Sequence, residues 1–353
     1  MKRSADHFYG CLAGGAIGDA LGAPIEFMSY DKILGQYGEK GLENLLFSHN
    51  TSYALITDDT QMTLFTAEGL IRSATRAHRK QMQRTGAETT TAVFRAYLRW
   101  LYTQGLKTPH WNASDYDGWL IKIKALHAYR APGVTCITTL GKGIMGTIKK
   151  PLNDSKGCGG IMRVAPIGLV EHEEDVFDIG MSAAAITHGH PTGYLAAGTF
   201  AAIIHYIIQG DELLEAIHKA LDRLKQRENS EECASIIERA ISLAKQGTPC
   251  YDKLKTLGQG FVAEETLAIA IYCVLSYPDC FKKALLLSVN HDGDSDSTGS
   301  LTGNILGAYL GAQNIEQELL KGIELAKEIE TLSNDLFILF EEDQEWLDKY
   351  PAW

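Results

Sequence analysis

The 353-residue sequence has no run of about 18 apolar residues free of both charge and glycine or proline punctuation, so it predicts no membrane-spanning helix. Its start, Met1-Lys2-Arg3-Ser4-Ala5-Asp6-His7, lacks the apolar core of a secretion signal. Together these absences predict a cytoplasmic protein with no membrane partner. Positive charge is scarce. Thirty-three Lys and Arg face 44 Asp and Glu, for a formal net charge of −11. That balance disfavours nucleic acid, whose binders draw most of their affinity from basic groups on phosphates. An anionic ligand would have to be met by local devices: metal ions, helix N-termini and a few cations. The seven cysteines are odd in number and show no C-x-x-C spacing, which argues for reduced, mostly buried thiols. No strand-rich region, internal repeat or linker interrupts a helical period. The expected fold is therefore all-α, a compact orthogonal bundle of many helices forming a single domain over 1–353.

What the chain does have is two acidic clusters far apart in sequence. Asn290-His291-Asp292-Gly293-Asp294-Ser295-Asp296-Ser297-Thr298-Gly299 opens an apolar helical segment, and Thr57-Asp58-Asp59-Thr60 opens another. Asp, Ser and Thr at such places suit helix N-caps. Capping accounts for one or two residues of each cluster. It does not account for adjacent carboxylates, because like charges packed closely repel and raise one another's pKa. A hard divalent cation such as Mg²⁺ removes that repulsion and takes carboxylate, hydroxyl and water oxygens. Neither cluster has the twelve-residue alternation of an EF-hand loop.

Glycines form the second pattern. Gly14, Gly18 and Gly22 recur every fourth residue, and Gly299, Gly303, Gly307 and Gly311 repeat the spacing after the second acidic cluster. On a helix each set is a stripe without side chains. Each interior glycine costs about 0.5–1 kcal/mol relative to alanine, so another backbone is expected close by, and the two stripes are candidates to meet. Asp19 sits within the first stripe, and a buried carboxylate hydrogen-bonded to backbone is one reading of it.

Three further segments carry possible chemistry. Ser155-Lys156-Gly157-Cys158-Gly159-Gly160 is a glycine turn before an apolar segment, either a plain turn or a place where backbone N–H groups face an anion. His188-Gly189-His190 precedes Pro191; zinc binding and a structural histidine at a proline kink both stand open. Gly258-Gln259-Gly260-Phe261 precedes another apolar helix, with Phe261 either a stacking surface or core. The basic residues Arg72, Arg76, Arg79, Lys80 and Arg84 read as a solvated helix end.

The paired acidic wordings, Thr57-Asp58-Asp59-Thr60 and Gly293-Asp294-Ser295-Asp296-Ser297-Thr298-Gly299, resemble the two metal-binding signatures of the ADP-ribosylglycohydrolase family. The resemblance runs from roughly Gly10 to Gly311. It implies an all-helical hydrolase with two Mg²⁺ (or Mn²⁺) ions that removes ADP-ribose from proteins. It implies Thr57, Asp58, Asp59, Asp294, Asp296 and Ser297 as metal ligands. Gly18-Asp19-x-x-Gly22-x-x-x-Glu26 resembles the family's N-terminal motif, whose glutamate reaches the active site, so Glu26 and Asp59 are the implied acid–base pair. By the same resemblance Gly157, Cys158, Gly159 and Gly160 lie along the diphosphate, and His188 and Phe261 line the pocket and its rim. Two departures stand out. Cys158 occupies a place where the family has asparagine, so only a backbone role carries over. Ala131 stands where the nitrogenase-regulating subgroup has aspartate. The Ser-Asp-Ser-Thr-Gly wording is closer to the arginine-directed members than to the serine-directed ones. The expected substrate is an ADP-ribosylated protein, with ADP-ribosylarginine as the bond and ADP-ribose as product. The rival readings are a hydrolase of ADP-ribosylserine, O-acetyl-ADP-ribose or modified nucleic acid, and a non-catalytic binding or structural relative.

Overall fold

The two glycine stripes pack on each other and fix the centre of the molecule. The computed structural model describes residues 2–48, 51–109 and 111–353. In it the helices Ala5–Gly22 and Ser295–Leu310 run antiparallel with their backbones in contact. A Cβ on Gly10 would fall 2.4 Å from the Gly307 carbonyl oxygen, one on Gly14 2.3 Å from that of Gly303, and one on Gly18 2.0 Å from that of Gly299. No residue larger than glycine fits this seam without moving a helix, which explains why glycine is used where its helix propensity is poor. Asn304 spans the seam and donates to the Cys11 carbonyl at 2.8 Å.

Helix Asp58–Arg79 packs on Gly86–Thr103, which starts with a capping box of Thr85 and Glu88. Their interface is partly ionic. Glu68 is fully buried and takes the Arg99 guanidinium at 2.8 Å and Arg72 at 3.7 Å. The reading of a solvated basic helix end is therefore corrected. Arg72 is buried and also pairs with Asp117 at 2.7 Å, Arg84 pairs with Glu171 at 2.9 Å, and Arg76 lies over the Trp353 ring. Arg79 and Lys80 are exposed, and Lys80 donates to the Trp353 carbonyl at 3.4 Å. Glu68 and Arg72 stand at i and i+4, a spacing that makes such a pair available.

Helix Pro191–Gln209 is long and apolar enough to cross a membrane by length and composition, although Pro191, Gly193 and Gly198 punctuate it. Within this fold, however, 89% of its apolar window is buried by protein. It packs against Glu173–Ala185, with a Cβ on Gly180 falling 3.1 Å from the Gly198 Cα. A helix that is hydrophobic on all sides needs such enclosure. Among the described residues there is no β-sheet, only isolated bridges. The fold is an all-α single domain. One of the bridges, between Gly157 and Val262, brings the glycine turn beside the start of helix Ala263–Ser276. That helix start, those of Asp58–Arg79 and Ser295–Leu310, and the Cys158–Gly160 turn surround one mouth.

Candidate functional site

The first cluster is built from behind by Asp19. This carboxylate is fully buried at the seam and accepts the Thr57 amide at 3.0 and 3.1 Å, the Thr60 amide at 3.2 Å and the Thr60 hydroxyl. It thus fixes where helix Asp58–Arg79 begins. Burial lifts its pKa to about 6, with the Thr60 and Thr57 hydrogen bonds opposing. The Thr57 side chain caps the helix by accepting from the Asp59 amide at 3.2 Å. Asp58 accepts from the Gly133 amide at 3.0 Å, so the segment around Ala131 contributes backbone to the site rather than an acid.

The second cluster meets the first through one hydrogen bond. Ser297 donates its hydroxyl to Asp59 at 2.9 Å across 238 positions of sequence. Asp294 is the N-cap of helix Ser295–Leu310 and accepts the Ser297 amide at 3.2 Å. Asp296 accepts the same amide at 2.9 Å. Asp292 belongs to a different environment, taking the Tyr30 amide and the Tyr251 hydroxyl. Glu26 follows a 3₁₀ turn at Ala23–Ile25 and enters from the rim. One oxygen from each of Glu26, Asp294 and Asp296 lies within 4.8 Å of the other two.

These acids crowd without counter-charge. Among the described residues no lysine or arginine forms an ion pair with them. Burial, then Asp294, Asp58 and Asp19, pushes Glu26 up to about 8. Burial, with Asp19 and Asp294 adding and the Gly133 amide opposing, pushes Asp58 up to about 7. Asp59 and Asp296 are driven well above the usual carboxylate range, by burial first and by their acidic neighbours second. Carboxylate and hydroxyl oxygens in this number are the donor chemistry of a hard divalent cation.

Opposite the acids lies the glycine turn. The Gly157 amide donates to the Ser155 hydroxyl at 3.3 Å and the Cys158 amide to the Phe261 carbonyl at 3.2 Å. Gly159 and Gly160 lie inside the 3₁₀ turn Cys158–Gly160, whose own i→i+3 bonding takes up the Gly160 amide, so the anion-facing donors narrow from four to the Gly159 amide. His188 lies against the turn, its Nε2 3.3 Å from where a Gly159 Cβ would be. Burial and then the Arg163 charge depress its pKa to about 3, so the ring is neutral. Its Nδ1 is 2.8 Å from the Thr187 hydroxyl, which accepts from the buried Arg163 at 2.5 Å. His190 instead caps helix Pro191–Gln209, accepting from the Thr192 amide at 3.2 Å. Among the described residues no histidine joins a group able to hold a metal.

Phe261 is on the surface, 38% exposed, and stacks on Phe27 with ring centroids 5.7 Å apart and planes 9° apart. Phe27 is 72% exposed at a φ of 63°, an uncommon conformation for a bulky residue. Sequence reasoning missed Phe27 and the Arg163–Thr187 support of His188. The signal for Phe27 was only its place beside Glu26. Nothing in the sequence joins Arg163 to Thr187.

The family model for ADP-ribosylglycohydrolase matches residues 1–346. ADP-ribosylhydrolase ARH3 of Mus musculus is 27% identical over 375 residues, covering 96% of this chain and 93% of that protein. ADP-ribosyl-[dinitrogen reductase] glycohydrolase of Rhodospirillum rubrum is 24% identical, covering 92% of each. ADP-ribosylarginine hydrolase Tri1 of Serratia proteamaculans is 25% identical, covering 97% of this chain and 82% of that one. A solved structure described as an ADP-ribosylglycohydrolase-related protein complex superposes with a TM-score of 0.64 at 22% identity, over 96% of this chain and 99% of that one. A match along nearly the whole length, on a site whose two acidic signatures meet, places the chain in the ADP-ribosylglycohydrolase family.

Proposed function

We propose that the protein is a magnesium- or manganese-dependent hydrolase that releases ADP-ribose from modified protein side chains, with ADP-ribosylarginine as the preferred linkage. The observation that carries the reading is the meeting of the two acidic clusters, joined by Ser297 and Asp59 at 2.9 Å and unbalanced by any basic side chain among the described residues. Asp58, Asp59, Asp294, Asp296, Thr57 and Ser297 would hold two ions. Glu26 lies close enough to Asp294 and Asp296 to share in that work. Bound there, the metal supplies Lewis-acid polarisation of a water and a hold on ribose hydroxyls.

The chain's own residues do the rest. The Gly159 amide, at the start of the 3₁₀ turn, offers a donor to the diphosphate, as suits a protein of net charge −11. Neutral His188 adds a polar contact without adding charge. The exposed face of Phe261, extended by Phe27, offers a stacking surface at the rim. Glycosidic cleavage needs a proton delivered to the departing nitrogen and one taken from water. Glu26, at the rim, is the carboxyl that exchanges protons with solvent. Asp59, buried and tied to Ser297, is the fixed partner.

The arginine linkage rests on the Ser295-Asp296-Ser297-Thr298-Gly299 wording and on the arginine hydrolase among the relatives. The test is a panel of arginine-linked, serine-linked and O-acetyl ADP-ribose substrates assayed for free ADP-ribose. Fastest release from arginine supports the reading. Turnover of another linkage alone overturns the linkage while keeping the hydrolase, and no turnover of any overturns both.

A further inference from the structure

The glycine turn is braced from its N-terminal side by one side chain, Lys156. The ammonium pairs with Glu232 at 2.7 Å and with the buried Glu264. Glu232 in turn accepts the Thr192 hydroxyl at 2.5 Å. Thr192, Glu232 and Glu264 are each the second residue of a helix: Pro191–Gln209, Glu231–Ala244 and Ala263–Ser276. Lys156 therefore ties the turn to three helix starts at once. The main chain holds the same place. The Ala263 amide donates to the Lys156 carbonyl at 2.9 Å, and the His190 amide to the Ser155 carbonyl at 3.2 Å. Helix Pro191–Gln209 abuts the turn so closely that a Cβ on Gly193 would fall 3.0 Å from the Lys156 Cα. Among the described residues Lys156 is the only cation paired with Glu264, whose other oxygen, Oε2, is buried without a hydrogen-bond partner.

We propose that Lys156 is the positioning residue of the diphosphate seat: pinned by Glu264 and Glu232, it fixes the turn so that the Gly159 amide meets the substrate's diphosphate. The inference rests on the reading of that amide as a diphosphate donor. Lys156 acts through the turn and not as a charge on the phosphate, since both acids hold its ammonium. Replacing a buried ion pair by apolar or neutral groups costs little stability, whereas removing one partner strands the other charge. Stability and positioning are therefore separable. Lys156→Met strands Glu264. Adding Glu264→Gln removes the stranded charge but leaves the turn unpinned.

Calorimetric titration of the full-length protein with ADP-ribose at saturating Mg²⁺, beside thermal melting, tests this. The expected Kd is about 10-fold higher, the worth of one misdirected hydrogen bond, in both Lys156→Met and the double variant. The melting temperature should fall in the first and recover in the second. Turnover of the best substrate of the linkage panel should show KM raised and kcat kept, the mark of binding lost equally from ground and transition states. Gly159→Pro deletes the amide itself and tests the reading underneath. If Gly159→Pro binds ADP-ribose as wild type does, the diphosphate does not sit on the turn and the proposal falls with that reading. If Gly159→Pro weakens binding and Lys156→Met does not, the seat stands and Lys156 does not position it. If the double variant recovers wild-type affinity along with stability, the loss came from the stranded charge alone and the positioning role is refuted.

Discussion

Replacing Gly303 with alanine is the sharpest probe of how the site is assembled. The added Cβ would lie 1.9 Å from the Gly14 carbonyl oxygen and 2.5 Å from its carbon. An ordinary carbon–oxygen contact is about 3.3 Å, so the two helices would have to separate by roughly 1.4 Å. Both atoms are backbone of the buried stretch Gly10–Gly22, and no side chain can swing aside. Overpacking of this kind costs about 1–3 kcal/mol and sometimes more. A contact this short against rigid backbone belongs at the top of that range, about 3 kcal/mol; alanine's better helix propensity returns about 1 kcal/mol, which leaves a net loss of about 2 kcal/mol. Gly35 provides the contrast, because it lies in helix Tyr30–Tyr37 with nothing within 4 Å of its would-be Cβ. Gly35→Ala should keep only the propensity gain. Thermal scans at one fixed rate should show Gly303→Ala melting about 3 °C lower and Gly35→Ala unchanged or higher. Equal melting of Gly303→Ala and wild type would refute the close backbone seam, and with it the account of how Asp19, Asp294 and Asp296 are held in place.

Three other outcomes follow from the same geometry. Asp296→Asn keeps the shape and removes one of the crowded charges, so turnover should drop by at least about 10²-fold while the fold survives. Its melting temperature should gain less from added Mg²⁺ than that of wild type; full activity would make the second cluster a helix cap only. The pH dependence of stability has a definite sign. Glu26 at about 8 and Asp58 at about 7 are raised in the folded state, so the folded protein binds more protons than the unfolded chain and loses stability as pH rises through that window. Metal-free protein should melt lower at pH 8.5 than at pH 7, a range above the ordinary histidine pKa of about 6.5. Saturating Mg²⁺ should flatten the slope; a slope indifferent to Mg²⁺ would speak against carboxylate repulsion at the site. Thr187→Val removes the hydroxyl between Arg163 and His188 and should weaken ADP-ribose binding about 10-fold, the worth of one hydrogen bond near 1.4 kcal/mol. Unchanged binding by calorimetry would take His188 out of the pocket.

Much of this arrangement was readable from periodicity. A stripe of glycines every fourth residue points to a close backbone neighbour, and the two stripes at opposite ends of the chain were candidates to meet, as they do. Adjacent aspartates beside hydroxyls at two helix starts pointed to one site, and Ser297 and Asp59 meet there. Asp19 was legible as a buried acid on backbone, though not as the residue that fixes where the next helix begins. Burial of charge was misread. Arg72 looked like part of a solvated helix end because sequence does not show that Asp117 and Glu68 enclose it. The amides of Gly157 and Cys158 looked available because their partners, Ser155 Oγ and the Phe261 carbonyl, are chosen by tertiary packing. Phe27 carried no signal beyond its place beside Glu26, since an exposed aromatic in a left-handed conformation follows no period.

The central claim is that two helix starts, 238 positions apart through Asp59 and Ser297, build one metal centre. A crystal grown with Mn²⁺ and measured for anomalous scattering tests it most directly. The account predicts two peaks between Asp58 and Asp59 on one side and Asp294 and Asp296 on the other, with ligand distances of roughly 2.1 Å, as for other hard octahedral ions. Full Mn²⁺ occupancy elsewhere on the surface, with no peak between those carboxylates, would contradict it.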